Sequence, residues 1–163
     1  MKKYKELIER CCRLIAERGW TIAFAESVTA GKLAFEFSMT PDSGAVLKGS
    51  LVCYNACIKE DILGIPKEMI DLYTPESAEV TREMAARIKK LMKAEVSVAV
   101  TGLSSPGGSE QPGKPVGTMF YCIYIQRQVV ERKKIFTGTA AEIIDLSLEH
   151  IAQTIIHELE GAS

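Results

Sequence analysis

Two short apolar runs, residues 20–25 and 96–100, constrain the fold of this chain more than any other feature. The second run reads Val96-Ser97-Val98-Ala99-Val100, which is typical of a strand buried on both faces. A sheet with such strands needs helices on each side to exclude water. The two runs therefore predict an α/β architecture.

The remaining segments supply the helices and the other strands of this architecture. Apolar residues at helical spacing predict an amphipathic helix over residues 2–18, and Ser77 is a suitable N-cap for another. Helices are predicted at 2–18, 29–39, 56–63, 66–72, 77–92 and 139–159. Strands are predicted at 20–25, 46–54 (interrupted at 48–50), 96–100, 118–126 and 129–136, the last two as an antiparallel pair. A turn at 41–44 and a loop at 102–117 complete the pattern. We expect one three-layer α/β/α domain over residues 1–163, with a mixed, mainly parallel sheet.

Composition limits the classes of function. The 163 residues include 20 basic and 21 acidic side chains, so no basic excess favours a nucleic-acid partner. No apolar run approaches the ~20 residues of a membrane span, and the charged N-terminus does not resemble a signal peptide. The five cysteines are odd in number and scattered, which indicates reduced thiols in a cytoplasmic protein. Cys53 and Cys57 lack further ligands at zinc-site spacing, so no metal is expected.

A hydroxyl-bearing junction lies where the first buried strand ends. Ser27 follows that strand and precedes a predicted helix, a place that suits either a helix cap or a nucleophile. The strand ends near Tyr54 and Thr101 are comparable positions. If these strands are parallel neighbours, the three ends converge on one crevice. Both interpretations of Ser27 stay open at this point.

A nucleophilic serine needs a proton acceptor. The two histidines, His150 and His157, both fall in the last helix and fit no triad. A lysine serves instead when its pKa is lowered, and Lys59 is the candidate, with Lys48 and Lys114 as rivals. On bare sequence Lys59 would be described as a solvated surface lysine, because lysine is rarely buried. The loop 101–108 is rich in glycine, which suits an anion site or a flexible surface loop.

Several separated motifs, taken together, resemble the C-terminal domain of the competence/damage-inducible protein CinA. They are Ala25-Glu26-Ser27-x-Thr29-x-Gly31, Tyr54 with Lys59, Leu63-Gly64-Ile65-Pro66, Thr101-Gly102 with Pro106-x-Gly108, and Lys114-Pro115-Val116-Gly117-Thr118. The resemblance implies a nicotinamide-nucleotide amidohydrolase, which converts nicotinamide mononucleotide to nicotinate mononucleotide and ammonia. It implies Ser27 as nucleophile, Lys59 as general base and Tyr54 as an aid to proton transfer or positioning, with no metal or cofactor. The substrate-binding residues then predicted are Glu26, Val28, Thr29, Ala30, Gly31, Thr101, Gly102, Ser104, Gly107 and Gly108.

The sequence also departs from the family pattern around the proposed catalytic residues. Val28 and Ala30 replace the family's usual Cys and Gly, and Asn55-Ala56 replaces Ser-Asn. Ser104 and Ser105 replace Ala-Gly, and Ala140 and Ile144 stand where members often have arginines in the last helix. These departures leave two alternatives open beside the nicotinamide-nucleotide amidohydrolase: a hydrolase for another small carboxamide, or a non-catalytic nucleotide-binding module. We also expect a stand-alone version of the domain that forms a homodimer.

Overall fold

The alternation of buried strands and amphipathic helices produces twelve elements in the computed structural model, which describes residues 2–161. The helices are α1 (Lys3–Glu17), α2 (Lys32–Ser38), α3 (Ser43–Val46), α4 (Ala56–Asp61), α5 (Lys67–Tyr73), α6 (Ala78–Met92) and α7 (Ala140–Gly161). The strands are β1 (Ile22–Glu26), β2 (Leu47–Val52), β3 (Val96–Gly102), β4 (Thr118–Ile125) and β5 (Gln128–Ile135).

The strands form one five-stranded mixed sheet in the order β2-β1-β3-β4-β5. β1 pairs in parallel with β2 and β3, whereas β4 is antiparallel to both β3 and β5. All strands except β4 therefore run in the same direction. Glu26 pairs with Val52 on one side and Val100 on the other, so three strands end together at one edge of the sheet. This confirms the predicted mixed, mainly parallel sheet and the predicted convergence of its strand ends.

Helices cover both faces of the sheet and give the predicted three layers. On one face α1, α2, α3 and α7 enclose a core that includes Phe24, Phe37 and Val98. On the other face α4, α5 and α6 cover a smaller core whose sheet side is formed by Ala23, Ala25, Ala99 and Cys122. These small sheet residues leave room for the larger side chains of α6. The buried hydroxyl of Ser97 donates to the main-chain oxygen of Ala85 at 2.9 Å, which ties β3 to α6.

Local signals placed several elements correctly. The Ser77 hydroxyl accepts a hydrogen bond from the N–H of Val80 at 3.3 Å and caps α6, as the sequence predicts. The predicted antiparallel pair is β4 with β5, in register from Thr118–Ile135 to Ile125–Gln128. β5 lies at the sheet edge and is mostly exposed, with Val130 as its buried residue.

Three boundaries differ from the prediction. The helix predicted from residue 29 begins at Lys32, because residues 28–31 form a turn with positive φ angles at Ala30 and Gly31. The expected break in the second strand at 48–50 is a bulge, since the register shifts between Ile22 and Ala23 opposite it. The turn predicted at 41–44 leads directly into α3.

Three general properties of the described chain bear on function. Within residues 2–161, no helix has both the length and the apolar character needed to cross a membrane. All five cysteines are free thiols, four of them buried. In the same range no group of three or more His, Cys, Asp or Glu side chains is arranged to hold a metal ion.

Candidate active site

Ser27 is held at the sheet edge by main-chain hydrogen bonds on both sides of it. Its N–H donates to the Val100 oxygen at 3.1 Å, which continues the ladder with β3 for one residue beyond β1. Its own carbonyl accepts from the N–H of Ala30 at 3.0 Å and so closes the turn. The Ser27 side chain is 7% exposed and lies at the wall of a cavity.

The buried carboxylate of Glu26 organises the turn that follows. It accepts hydrogen bonds from the N–H groups of Gly31, Leu33 and Ala34, at 2.9–3.1 Å, and so caps the start of α2. It also accepts from the hydroxyls of Thr29 and Ser50, at 2.7 and 3.0 Å. A carboxylate at this end is favoured both by the unpaired N–H groups and by the helix dipole. The negative charge of Glu26 therefore fixes α2 to β1 and β2.

Lys59 reaches Ser27 from α4. Asn55 begins this helix, with its side-chain oxygen accepting from the N–H of Cys57 at 3.0 Å. One turn later the Lys59 amine lies 3.2 Å from the Ser27 Oγ and 3.1 Å from the Cys53 carbonyl oxygen. Lys59 is 1% exposed, which is rare for a lysine without an ion-pair partner.

Burial lowers the pKa of the Lys59 ammonium below its usual 10.5, and Cys53 and Glu76 oppose this shift only in part. The cause is the loss of hydration, which disfavours the charged form of an amine. A neutral amine at hydrogen-bond distance from a serine hydroxyl can accept its proton. The pair Ser27–Lys59 therefore has the geometry and the electrostatics of a nucleophile with its base.

The two rival lysines lie elsewhere. Lys48 is exposed on β2. Lys114 is 4% exposed, and its three N–H groups donate to the Thr74 hydroxyl, the Glu76 main-chain oxygen and the Ser109 hydroxyl, at 2.7–2.9 Å. Burial also lowers the pKa of the Lys114 ammonium. Its contacts fasten the glycine-rich loop to the segment between α5 and α6.

A cavity of about 250 Å³ opens beside Ser27. Six of the other predicted site residues line it: Val28, Tyr54, Gly102, Ser104, Gly107 and Gly108. Leu103, Ser105, Pro106 and Glu76 complete the wall. Tyr54 is 69% exposed and lies at the mouth, while Lys59 lies behind Ser27, away from the open space. The glycine-rich loop thus forms the side of the cavity opposite the Ser27 turn.

The other predicted binding residues do not line this cavity. Thr29 donates to Glu26, and both contribute to the cap of α2. The Thr101 hydroxyl bonds to that of Thr81 on α6, at 2.8 Å. Ala30 and Gly31 form the last part of the turn that leads from Thr29 into α2. The assignment of these residues to substrate binding stays a prediction. The contacts observed for all five are with other parts of the protein; the five are Glu26, Thr29, Ala30, Gly31 and Thr101.

Glu76 is a cavity residue that sequence reasoning missed. It lies in the short segment before α6, where a charged residue is typical of a solvated turn, so no local signal marks it. Ala140 and Ile144, at the positions where the CinA-like pattern often has arginines, are on α7 and outside the cavity wall. Ile144 packs against the larger core.

Comparison with known families agrees with the fold. Residues 4–159 match the family described as the CinA C-terminal domain. The chain belongs to this family. It is 40% identical over 124 residues to a CinA-like protein of Petrotoga mobilis, covering 76% of this chain and 30% of that protein. It is 32% identical over 147 residues to a CinA-like protein of Flavobacterium psychrophilum, covering 90% and 35%.

Solved structures of CinA proteins share the architecture. The competence/damage-inducible protein CihA of Agrobacterium tumefaciens superposes with a TM-score of 0.90 at 26% identity, covering 96% of this chain and 95% of that one. A CinA superfamily protein of Klebsiella pneumoniae gives 0.91 at 24% identity, with 98% and 99% covered, a likeness that shows the fold. The chain spans about a third of the length of the curated relatives it matches.

Proposed function

We propose that this CinA-family chain is a serine amidohydrolase in which Ser27 is the nucleophile and Lys59 its general base. The observation that carries the proposal is the 3.2 Å separation of the Ser27 Oγ and the buried, unpaired amine of Lys59. If Ser27 were only a helix cap, it would not need an amine beside its hydroxyl. Within residues 2–161, Lys59 also has no carboxylate in contact that would hold its charge, since its second hydrogen bond goes to the Cys53 carbonyl.

The proton balance of the reaction follows from this pair. Neutral Lys59 takes the proton of Ser27 while the Oγ attacks the carboxamide carbon and forms a tetrahedral intermediate. The resulting ammonium gives its proton to the leaving nitrogen, so that ammonia departs and an acyl-enzyme remains. Water then attacks the ester with Lys59 again as base, and the carboxylic acid and Ser27 are regenerated. No further cofactor enters these steps.

The oxyanion of the intermediate needs hydrogen-bond donors on the cavity side of Ser27. Val28 lies there, and its N–H has no acceptor among residues 2–161. One such donor contributes roughly 3–4 kcal/mol to transition-state stabilisation in other hydrolases. Val28 is therefore the proposed oxyanion donor, with the main chain of the glycine-rich loop facing it across the cavity.

Nicotinamide mononucleotide is the proposed substrate. Its carboxamide on a pyridine ring supplies the amide bond that the pair would break, and the family resemblance of the Ser27, Tyr54 and Lys59 motifs supports this choice. Tyr54, at the mouth of the cavity, is proposed to position the substrate or to assist proton transfer. The products are nicotinate mononucleotide and ammonia.

Ammonia release from nicotinamide mononucleotide tests the proposal. Ser27→Ala and Lys59→Met should each reduce kcat at least about a thousandfold, because nucleophile and base act as a unit. Ser38→Ala and Lys48→Met are matched controls at exposed positions and should retain wild-type rates. Release that persists in Ser27→Ala would rule out Ser27 as the nucleophile.

A second candidate, hydrolysis of another small carboxamide, is favoured by one observation. No lysine, arginine or histidine lines the cavity in the part of the chain that the structure describes, so a substrate phosphate finds no cationic partner there. A panel of carboxamides with and without phosphate separates the two candidates. Stabilisation by nucleotides in a thermal-shift assay, without ammonia from any amide, would instead identify a non-catalytic module.

A further inference from the structure

Glu76 is the single charged side chain in the cavity wall, as far as residues 2–161 are concerned. It lies between Thr74 and the Ser77 cap of α6, and its half-buried side chain accepts a hydrogen bond from the Ser109 hydroxyl. Lys114 holds its main chain in place through the carbonyl oxygen, at 2.9 Å. The protein therefore fixes a carboxylate beside the space that Ser27 faces.

No cation forms a direct ion pair with this carboxylate within residues 2–161, and Glu76 acts on Lys59 and Lys114 only at longer range, where it raises the pKa of both ammonium groups. Eight ion pairs form within residues 2–161, and Glu76 takes part in none of them. Lys114 is close, but its three N–H groups go to two hydroxyls and to the main-chain oxygen of Glu76. The Lys59 amine is held by Ser27 and Cys53. A ligand in the cavity therefore meets a carboxylate that has no direct ion-pair partner within residues 2–161.

We propose that Glu76 determines the specificity of the Ser27 cavity by selecting carboxamides whose ring carries a positive charge, namely N1-substituted pyridinium-3-carboxamides, over neutral ones. This proposal rests on the proposed function of the site. Substitution at N1 makes the nicotinamide ring a cation, with the charge only two ring bonds from the carbon that bears the carboxamide. When the carboxamide is at Ser27, the ring must lie within the same small cavity as Glu76. Opposite charges in a space with little water attract strongly, whereas neutral nicotinamide gains nothing from them.

The same charge acts against an anionic group in the cavity. A phosphate attached to the substrate is repelled by Glu76 and has no basic side chain in the wall to offset the repulsion. Ring charge rather than phosphate is therefore the recognised feature. Nicotinamide riboside, which has the cationic ring without the phosphate, should be processed at least as well as the mononucleotide.

Comparison of wild type with Glu76→Gln tests the proposal, since glutamine keeps the acceptor for Ser109 and removes the charge. For N1-methylnicotinamide and nicotinamide riboside, kcat/KM should fall about tenfold, and for nicotinamide less than about twofold, a tenfold ratio being 1.36 kcal/mol. Rates are compared at a pH where they no longer vary, so that protonation of the base does not enter. Glu79→Gln is the matched control, because Glu79 is exposed one turn along and outside the cavity wall. Equal losses for charged and neutral amides, or no loss for either, would overturn the proposal.

A binding measurement keeps the test independent of turnover. In a Ser27→Ala background, calorimetry should give tighter binding of N1-methylnicotinamide than of nicotinamide, and adding Glu76→Gln should remove the difference. If no amide releases ammonia from the wild type, the proposed hydrolase is wrong, and the binding preference alone decides the role of Glu76. Equal affinities in the Ser27→Ala protein would refute charge selection even if the hydrolase is active.

Discussion

Replacement of Glu26 by glutamine is the sharpest test of how this site is supported. The carboxylate takes five hydrogen bonds, three from main-chain N–H groups at the start of α2 and two from hydroxyls. One oxygen accepts from Ala34 and Ser50, and the other from Thr29, Gly31 and Leu33. Glutamine has nearly the same shape, so it removes the charge and half of the acceptors without creating a cavity.

The expected cost follows from these partners. If the amide oxygen takes the position with three donors, its NH₂ group faces the N–H of Ala34, while the Ser50 hydroxyl can turn and accept. One buried N–H then has no acceptor, which costs about 1–3 kcal/mol. The loss of a negative charge at the helix start adds roughly 0.3–2 kcal/mol. The charged side chain was itself costly to bury, which offsets part of the sum. A net loss of about 2–4 kcal/mol in the free energy of unfolding is the result.

Urea denaturation monitored by circular dichroism measures this loss. Glu36→Gln is the control, since Glu36 is also buried, lies on α2 and accepts one hydrogen bond from its neighbours, that of Tyr4 at 3.0 Å, with Lys5 more distant. The control should lose only about 0.5–1.5 kcal/mol. A Glu26→Gln protein that is no less stable than Glu36→Gln would refute the assignment of Glu26 as the cap that holds the Ser27 turn.

Two further predictions concern the loop and the base. A Cβ at Gly117, where φ is +95°, would lie 1.9 Å from the Phe136 oxygen. Gly117→Ala should therefore lower the free energy of unfolding, measured by urea denaturation, by about 3 kcal/mol or more. The control is Gly113→Ala, at φ +80° with open space around it, which should lower it by about 1–2 kcal/mol. Equal losses would show that the clash is relieved. If Lys59 is the base, its neutral amine is the active form. Because burial lowers the pKa of Lys59, kcat/KM should then rise with pH and reach its plateau before pH 10.5. A rate that still climbs through pH 10.5 would exclude Lys59 as the base.

The sequence was a good guide to the fold because the strands bury both faces. Residues 96–100 contain almost no polar side chains, and this alone requires helices on both sides, as observed. The convergence of Ser27, the end of β2 and the end of β3 follows from parallel pairing of adjacent strands. The sequence predicts the start of α2 three residues too early, because the side chain that caps this helix, Glu26, lies at the end of the preceding strand. A cap of that kind leaves no Ser, Thr, Asp or Asn signal at the helix start itself.

The site was harder to predict, since it depends on distances between separate segments. Lysine is usually a surface residue, and only the packing of α4 against the Ser27 turn shows that the Lys59 side chain is buried. The family resemblance nominated it, whereas periodicity did not. No sequence pattern predicts that Glu76 lines the cavity, because its position depends on contacts with Ser109 and Lys114. These residues are more than thirty positions away in the chain.

The negative charges near Ser27 show what the proposed base, Lys59, needs in order to be neutral. Two routes lower the pKa of a lysine: a nearby positive charge, or loss of water. Here Glu26 occupies the start of α2 and Glu76 the cavity wall, so the surroundings of Ser27 are acidic and the first route is closed. Burial lowers the pKa of Lys59, whereas Cys53 and Glu76 favour its ammonium form. The Glu26 cap has a second consequence, because it uses the N–H groups that would otherwise attract an anion at the helix start. In the proposed reaction, we therefore expect the oxyanion at Ser27 to be stabilised from the cavity side, by Val28 and the glycine-rich loop.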